Sequence, residues 1–410
     1  MKILMVNKFL HPNGGSETYI FELGKQLEKM GHEVQYFGMD HKRRCVGNQL
    51  DCYTANMDFH TGKLQKLLYP FKIIYSIEAK KKMLKVLEVF QPDVVHLNNI
   101  NFQLTPSVID AVREFDKKSA KKTKLIATAH DYQWVCPNHM LMIPSNKQLC
   151  FACEGGKYLN CSKNKCIHNS SVKSILGSME AYFYKIKKTY KEIDKTICPS
   201  EFLNQKISTN SEFKGKTVTL HNFMMVSGED DTKKNDKVLE MNNIPSRYVI
   251  YFGRFSEEKG VRTLLEVCKE LKEINFVFAG NGLLEQEVNS VENIINVGFQ
   301  TGDDLKTLVR NAEFCVFPSE WYENCPFSVM EAQAYGTPIL ASDLGGTSEL
   351  VNDGVTGELF EGGNVQILKD KIVELWEQEE SVDRYRDNCK KNDFYTLEQY
   401  SAKLVEIYCS

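Results

Sequence analysis

Two glutamates flank a mostly apolar run in the second half of the chain. Glu323 and Glu331 stand eight positions apart in the segment WYENCPFSVMEAQAYG. Pro326 suits the first turn of a helix, because its missing N–H costs no hydrogen bond there. Glu323 would then precede the helix, and Glu331 would lie between one and two turns along it. Each carboxylate can accept hydrogen bonds from vicinal hydroxyls, as in a sugar or a ribose. The alternative is two exposed helix glutamates.

Two cations follow a predicted strand in the same half. The segment GRFSEEKG places Arg254 and Lys259 just before a predicted helix. Two cations that converge at a helix N-terminus suit a diphosphate better than a monophosphate. The competing interpretation is a pair of solvated surface charges.

The first half carries two weaker signals. In HPNGGSE, Gly14 and Gly15 follow the first strand and open a helix, where backbone N–H groups can approach an anion. A Gly pair can equally be a simple turn. His130 ends the strand ATAHD. A lone histidine is more often structural than catalytic, although titratable groups of functional sites do collect at strand ends.

All these residues follow predicted strands, and ligands bind at the carboxyl ends of strands in open parallel sheets. Strands and helices alternate along both halves, which predicts two doubly wound α/β domains. The polar segment 226–246 suits a connection between them. The predicted strands are 2–7, 33–39, 92–99, 124–131, 195–200 and 217–223 in the first half, and 247–255, 275–282, 293–299, 312–319 and 337–343 in the second.

The composition is that of a globular protein of two domains. The chain has 410 residues, of which 42% are hydrophobic and 26% charged, and it is too long for one compact core. No run of 18 apolar residues predicts a transmembrane helix, and the start is interpreted as a strand rather than a signal peptide. The odd number of cysteines, 13, favours reduced thiols in a cytoplasm.

Charge is distributed unevenly. Residues 1–222 hold 33 Lys and Arg against 20 Asp and Glu, whereas residues 223–410 hold 18 against 34. A basic half suggests an anionic partner surface, and the alternative is two solvated domains. Segments 63–91 and 173–195 are basic and amphipathic, as in helices that lie on an anionic membrane. Such helices can instead cover the sheet. Nucleic-acid binding is not expected, because no recognised motif occurs and half the chain is acidic.

The motifs together resemble retaining glycosyltransferases of family 4 over nearly the whole chain, most specifically from residue 250 to 360. That family has the GT-B fold, two Rossmann-like domains that face each other across a cleft. The resemblance implies an acceptor-side domain over 1–222, a nucleotide-sugar domain over 223–390, and a C-terminal helix within 391–410 that packs back on the first domain. The motifs that carry it are GGSE, GRFSEEKG, GNG, NVGF, YENCPFSVMEAQAYGTPILASDLGGTSELV and DGVTGELF.

The resemblance also implies roles. Arg254 and Lys259 neutralise the donor diphosphate as it leaves, and the backbone of the Gly14–Gly15 turn approaches the same phosphates. Glu331 holds the ribose hydroxyls, and His130 approaches the donor sugar. The residues implied to hold the sugar are Glu323 with the amides of Cys325, Phe327 and Ser328, and those implied to line the base pocket are Val297 to Phe299. No catalytic metal and no protein nucleophile are needed, since cations stabilise the leaving group and the leaving phosphate helps remove the acceptor proton.

The implied activity is transfer of a hexose or N-acetylhexosamine, with retention, from a nucleotide diphosphate sugar. The donor would be a UDP-sugar, and the acceptor a lipid-linked or polysaccharide glycan of the kind made in bacterial capsule and exopolysaccharide synthesis. The enzyme would be cytoplasmic and peripheral on the inner face of the plasma membrane. The alternatives are a relative that acts on a small soluble acceptor and a non-catalytic nucleotide-sugar-binding module.

The chain departs from the family pattern in a Cys-rich insertion at about 136–170. Cys150 and Cys153 are separated by two residues, and Cys161 and Cys166 by four, which resembles a zinc knuckle. These four thiols are predicted to bind a structural zinc ion, with Cys136 nearby. The alternative is free thiols or a transient disulfide in a long loop.

Overall fold

The computed structural model describes residues 1–56, 69–224 and 237–410. The chain divides into two compact units. The N-unit comprises Met1–His221 together with Leu397–Ser410, and the C-unit comprises Asn222–Thr396. Part of the predicted basic segment 63–91 and part of the predicted connection 226–246 lie outside the described residues.

The N-unit is built on a six-stranded parallel sheet with the order β2-β1-β3-β4-β7-β8. Every residue of the central strand β3 is buried, as expected of a strand covered on both faces. A small antiparallel pair, β5 and β6, lies apart from this sheet. The strands are β1 (Lys2–Val6), β2 (Glu33–Phe37), β3 (Val94–Leu97), β4 (Lys124–Thr128), β5 (Met142–Ile143), β6 (Gln148–Leu149), β7 (Lys195–Cys198) and β8 (Thr217–Thr219).

The C-unit has a second six-stranded parallel sheet, with the order β11-β10-β9-β12-β13-β14. This is the strand order of a dinucleotide-binding Rossmann fold. Its hydrophobic core lies on both faces of the sheet, around Phe276 and Phe278 on one side and around Ile250 and Met330 on the other. The strands are β9 (Val249–Phe252), β10 (Phe276–Ala279), β11 (Ile294–Gly298), β12 (Cys315–Phe317), β13 (Ile339–Ser342) and β14 (Gly357–Phe360).

Helices connect these strands and cover the sheets. They are α1 (Gly15–Lys29), α2 (Tyr69–Ile74), α3 (Ile77–Phe90), α4 (Ser107–Asp116), α5 (Leu159–Lys163), α6 (Ser171–Lys187), α7 (Glu201–Ser208), α8 (Lys237–Met241), α9 (Val261–Glu270), α10 (Glu285–Val288), α11 (Gly302–Arg310), α12 (Phe327–Ala334), α13 (Val365–Glu377), α14 (Glu379–Cys389) and α15 (Leu397–Cys409). Helix α1 ends where the sequence predicts, because Gly31 adopts a φ of 84° that favours glycine.

The last helix, α15, belongs to the N-unit and is joined to it by buried hydrogen bonds. The hydroxyls of Tyr400 and Tyr19 lie 2.7 Å apart. The Tyr408 hydroxyl lies 2.7 Å from Nδ1 of His96, whose Nε2 lies 2.7 Å from the Thr128 hydroxyl. Burial lowers the pKa of His96 to about 3, so this histidine is a neutral member of the core.

Each strand predicted from the sequence has a counterpart in the structure, one to four residues shorter at one or both ends. The edge strand β14 was not predicted, because GELF begins with a glycine and is too short to show a period. In the described part of the chain, no helix combines the length and the apolar character that crossing a membrane requires.

Candidate active site

The strand order of the C-unit reverses at β9, which lies between β10 and β12. Ligands of open α/β sheets bind beside such a switch point, outside the carboxyl ends of the strands. The loop 253–260 leaves β9 there, and the loop 318–326 leaves β12. These two loops contain both predicted cations and the first predicted glutamate.

The structure brings Lys259 and Glu323 together. The Lys259 ammonium lies 2.5 Å from Oε1 of Glu323, and both side chains are largely shielded from solvent. The same oxygen accepts hydrogen bonds from the Ser319 hydroxyl at 3.0 Å and from the Trp321 indole at 2.6 Å. The carboxylate is therefore fixed in place by three donors.

Two glycines allow this approach. Gly260 has a φ of 68°, and a Cβ there would lie 1.8 Å from the carbonyl oxygen of Pro318. Gly345 has a φ of 63°, and its Cβ would lie 2.5 Å from the carbonyl oxygen of Glu323. The amide of Gly346 donates to that carbonyl at 2.7 Å. The Gly-rich loop DLGG therefore holds the backbone of Glu323, and Gly260 lets the Lys259 loop pack on the loop after β12.

The other predicted phosphate and sugar ligands of the C-unit lie on these loops or at the start of α12. Arg254 is exposed, and within the described residues no carboxylate pairs with its guanidinium. Helix α12 begins at Phe327, with Pro326 as its N-cap. The amides of Cys325, Phe327 and Ser328 have no recorded backbone acceptor in the described part of the chain. The Cys325 side chain is buried in the core, so only its backbone is offered.

Glu331 lies on α12 and is half-buried. Within the described residues, no side chain is recorded as donating a hydrogen bond to its carboxylate. Burial raises the pKa of Glu331 to about 7. An incoming pair of hydroxyl donors would stabilise the ionised form of this carboxylate.

The two predicted base-pocket residues differ in exposure. Val297 is buried in the core, whereas Phe299, two residues further along, has 69% of its surface exposed. Leu283 follows the neighbouring strand β10 and is 96% exposed. Phe299 is therefore the residue of this pair that offers an aromatic face, and Val297 supports the strand behind it.

In the N-unit, the Gly14–Gly15 turn is fixed by polar contacts from neighbouring loops. The side chain of Asn7, just after β1, donates to buried Glu17 at 3.1 Å and accepts from the Asn99 amide at 3.1 Å. Gly14 caps α1 with an extended backbone, at a φ of −179°. A residue other than glycine could adopt that conformation, so Gly14 is not required by backbone strain.

His130 follows β4 and is half-buried. Its Nε2 lies 2.9 Å from the side-chain oxygen of Asn98, and its ring meets Tyr19 edge to face at 5.2 Å. Burial lowers the pKa of His130 to about 4, so the ring is neutral near pH 7. A neutral imidazole can serve as a hydrogen-bonding group but not as a cation.

The loops after β3 and β4 contain three residues with left-handed backbone. Phe102 and Thr105 after β3, and His139 after β4, all have positive φ values, of 62°, 63° and 68°. Such conformations cost energy and collect at functional sites. The rings of His139 and Phe102 stack at 5.1 Å, and His139 pairs with Asp131 at 3.1 Å. Sequence reasoning did not identify this cluster, since its signal lies in backbone angles.

Two family models cover most of the chain. The model for Glycosyltransferase Family 4 matches residues 13–224, and the model for Glycosyl transferases group 1 matches residues 233–392. The first of these alone spans more than half of the 410 residues. The chain belongs to glycosyltransferase family 4. Its polar loops at the carboxyl ends of two sheets are therefore those of a family that transfers sugars.

Named relatives match part of this family 4 chain. An uncharacterised glycosyltransferase of Methanocaldococcus jannaschii is 27% identical over 55% of the chain and 61% of its own length. O-antigen chain mannosyltransferase C of Escherichia coli is 26% identical over 40% of the chain and 47% of its own length. The chain thus matches about half to two thirds of the length of these relatives.

A solved structure matches over the entire chain. Anabaena HepE, crystallised in complex with UDP, superposes with a TM-score of 0.67 and 15% identity, with 100% of both chains covered. Together with the two six-stranded parallel sheets, this likeness shows the GT-B fold, with two Rossmann-like units.

The cysteines of the insertion group differently from the predicted set. Cys153, Cys161 and Cys166 are buried in one cluster, and the Cys161 thiol hydrogen-bonds that of Cys166. Cys136 is also buried, whereas Cys150 is half-exposed. Thiols suit zinc as donors. However, among the residues described, no group of three or more His, Cys, Asp or Glu side chains has an arrangement that could hold a metal ion. The arrangement shown therefore does not fit zinc.

The sequence did not single out Ser319 and Trp321, the two further donors to Glu323. Their position in the sequence could have identified them, since both lie within four residues of Glu323 on the loop that follows β12. A buried carboxylate needs several donors, so neighbouring hydroxyl and indole groups were reasonable candidates.

Proposed function

We propose that this protein is a retaining glycosyltransferase that uses a UDP-sugar as donor. The observation that carries the proposal is the Lys259–Glu323 pair, with Arg254 on the same loop, at the switch point of the C-unit sheet. A carboxylate fixed by three donors suits sugar hydroxyls, and two cations beside it suit a diphosphate.

The chemistry follows from these charges. Breaking the bond between the anomeric carbon and the diphosphate leaves negative charge on the leaving group. Lys259 and Arg254 stabilise that charge, which is the role that fixed cations play in transition states of this kind. The departing phosphate accepts the proton of the attacking acceptor hydroxyl on the same face of the sugar, so the anomeric configuration is retained without a protein nucleophile or a metal.

The nucleoside half of the donor is assigned to α12 and β11. Glu331 accepts hydrogen bonds from the ribose hydroxyls, and exposed Phe299 stacks on the base. The choice of UDP is supported by Anabaena HepE, whose structure contains UDP. In the N-unit, the backbone of the Gly14–Gly15 turn is suited to bind a phosphate, and neutral His130 is suited to hydrogen-bond a sugar.

The acceptor is a lipid-linked or polysaccharide glycan. The relatives named above include an O-antigen chain mannosyltransferase, which supports this class of product. A membrane-bound acceptor needs an enzyme that reaches the membrane surface, and helix α6 supplies a suitable face.

Helix α6 exposes an apolar stripe at helical spacing. Val172 is 77% exposed and Ile186 is 80% exposed, with three further exposed side chains between them. All of these except Val172 line, with the neighbouring helix α5, an apolar groove of about 390 Å³. The stripe consists of Val172, Ile175, Met179, Phe183 and Ile186. Helix α3, the other basic segment, instead buries its apolar side in the N-unit.

Lysines accompany this stripe. Helix α6 carries Lys173 near its start and Lys185 and Lys187 in its last turn, and Lys188 follows directly. Apolar side chains with lysines beside them fit an anionic lipid surface. The apolar side chains enter the boundary of the acyl region, and the lysines pair with the headgroups. We therefore assign α6 to the cytoplasmic face of the plasma membrane.

The proposal is tested by incubating the protein with a panel of UDP- and GDP-sugars and a membrane lipid extract, in the presence of EDTA. We expect release of UDP, a lipid-linked product whose mass increases by one sugar, and retention of the anomeric configuration by NMR. Arg254→Met should lose about 10- to 100-fold in UDP affinity, whereas Arg384→Met, at an exposed position on α14, should not. Tight UDP-sugar binding without turnover on any acceptor would indicate a binding module instead.

A further inference from the structure

A small cavity opens at the carboxyl ends of β1 and β2 in the N-unit, apart from the residues assigned above. Its volume is about 120 Å³. Backbone hydrogen bonds fix its walls, because the Met39 amide donates to the Lys8 carbonyl at 3.1 Å and the Cys45 amide to the Leu10 carbonyl at 2.9 Å. The lining residues are Lys8, Phe9, His11, Met39, Asp40, His41 and Asn56.

Basic groups dominate this cavity. The imidazoles of His11 and His41 stack with centroids 3.9 Å apart and an interplanar angle of 18°. His11 is only 5% exposed, and its Nδ1 is buried without a hydrogen-bond partner among the described residues. Burial first, and then the nearby charges of His41 and Arg43, lower the pKa of His11. A buried polar nitrogen without a partner is costly unless a ligand or water satisfies it.

Among the described residues, the cavity wall has one carboxylate, that of Asp40, and it lies near a cation. Asp40 is exposed and lies 3.5 Å from Nε of Arg44, which also pairs with Asp51 at 2.8 Å. The cavity is left with Lys8 and two imidazoles, and Arg43 lies close by. The positive charges of Lys8 and Arg43 repel a cation and attract an anion.

We propose that this cavity binds a phosphate group of the sugar acceptor. The inference rests on the proposed function, which it extends to the chemistry of the acceptor. A phosphate has more acceptor oxygens than a carboxylate, which has two, and so can accept hydrogen bonds from Lys8, His11 and His41 together. At about 120 Å³, the cavity has room for a phosphate group.

The position of the cavity agrees with this role. Strands β2, β1, β3 and β4 are consecutive and parallel in the sheet. The cavity and His130 therefore both lie at the carboxyl ends of these strands. Burial raises the pKa of Asp131, the residue after His130, but His139, the Gln133 amide and, with the smallest effect, the charge of Lys8 together hold that pKa below its usual value. A phosphate in the cavity would therefore anchor an acceptor whose hydroxyl extends toward the sugar that His130 contacts.

Two acceptors share this chemistry, a lipid that carries a phosphate or diphosphate and a soluble sugar phosphate. The first probe is inorganic phosphate, titrated by calorimetry with UDP present at saturation so that the donor site is occupied. We expect phosphate to bind, and Lys8→Met and His41→Asn to weaken it by about 10-fold or more each. The matched controls lie at the amino ends of the strands of the same sheet. They are Lys29→Met, at the end of α1, and His32→Asn, just before β2.

Two further probes identify the source of the phosphate. A short-chain alkyl diphosphate that binds more tightly than glucose 6-phosphate identifies a lipid carrier, and the reverse order identifies a soluble sugar phosphate. Phosphate affinity that is the same in Lys8→Met, His41→Asn and wild type overturns the proposal, as does equal binding of unphosphorylated glucose. UDP affinity, measured in the same variants, reports on the donor site and on folding. Failure of the acceptor inference is thereby distinguished from failure of the proposed function.

Discussion

The ammonium of Lys259 and the carboxylate of Glu323 form an ion pair of 2.5 Å at the carboxyl ends of β9 and β12. The sequence suggested separate roles for them, one on the diphosphate and one on the sugar. The contact couples these roles, because a donor diphosphate must share the lysine with the carboxylate. The sugar hydroxyls in turn donate hydrogen bonds to Glu323. These bonds replace part of the interaction that Glu323 makes with Lys259.

This coupling predicts opposite effects on two ligands. Glu323→Gln removes the charge that competes for Lys259, so UDP should bind at least as tightly as in wild type. Sugar transfer should fall by about 100-fold, since a transition-state contact is lost. Calorimetry measures the affinity for UDP, and steady-state kinetics measure the rate of sugar transfer. The control is Glu270→Gln, which breaks the comparable 2.6 Å pair with Lys369 elsewhere on the C-unit. Parallel losses of UDP and transfer in Glu323→Gln would contradict the coupling.

Glu331 should make donor binding depend on pH. Because burial raises its pKa to about 7, the carboxyl is protonated below that pH and accepts hydrogen bonds poorly. The affinity for UDP-glucose should therefore rise as the pH passes from 6 to 8, by at most about 10-fold per unit. UDP-glucose is the suitable ligand, since its diphosphate lacks the monoester ionisation near pH 6.

Glu331→Gln should remove this dependence and leave a flat profile. The same ionisation affects stability with a definite sign. The stabilisation from the neutral carboxyl is fully present below the unfolded-state pKa and is lost as the pH rises through about 7. Urea unfolding at pH 5 and pH 8 should show a smaller difference in Glu331→Gln than in wild type. A pH profile unchanged by the substitution would assign the ribose to another residue.

Gly260→Ala should damage both stability and activity. The added Cβ would lie 1.8 Å from the Pro318 carbonyl oxygen, and the φ of 68° disfavours any side chain. We expect a loss of roughly 1–3 kcal/mol in the free energy of unfolding, together with weaker UDP binding as Lys259 moves. Gly302→Ala is the matched control, with a φ of 60° and open space around its Cβ. If both variants behave alike, backbone strain rather than the packed loop explains the loss.

The apolar stripe of α6 should govern membrane association. Ile186→Glu places a charge where a side chain would enter lipid, and we expect binding to vesicles with anionic lipid to weaken by about 10-fold or more. Val89→Glu on α3 is the control, since Val89 is also an exposed apolar residue of a basic helix. Cosedimentation with anionic and neutral vesicles measures both variants. Unchanged binding by Ile186→Glu would place the membrane contact elsewhere.

The cysteine cluster has a direct test in metal content. Because the described arrangement does not fit zinc, elemental analysis of the purified protein should find no stoichiometric zinc. A content of about one zinc per chain that falls in Cys153→Ser and Cys161→Ser, but not in exposed Cys409→Ser, would contradict this expectation and support the four-thiol site that the spacing predicts.

Much of the fold could be predicted from the sequence, because buried parallel strands are short apolar runs that end in turn residues. The loops after β9 and β12 were identified for the same reason, since motifs at strand ends meet in space. The contact of Lys259 with Glu323 could not be predicted, since it joins residues 64 positions apart in the chain. The stack of His11 on His41 was missed because each histidine alone is unremarkable, and only the parallel pairing of β1 with β2 places them side by side.

The return of α15 to the N-unit has a consequence for how this chain matures on the ribosome. Tyr400 and Tyr408 fill positions in the interior of the domain that is synthesised first. That domain therefore completes its core only after Leu397–Ser410 has been synthesised, while the unit encoded between its two parts can close earlier. A truncation before Leu397 would thus destabilise the N-unit, whose other residues are all encoded before those of the C-unit.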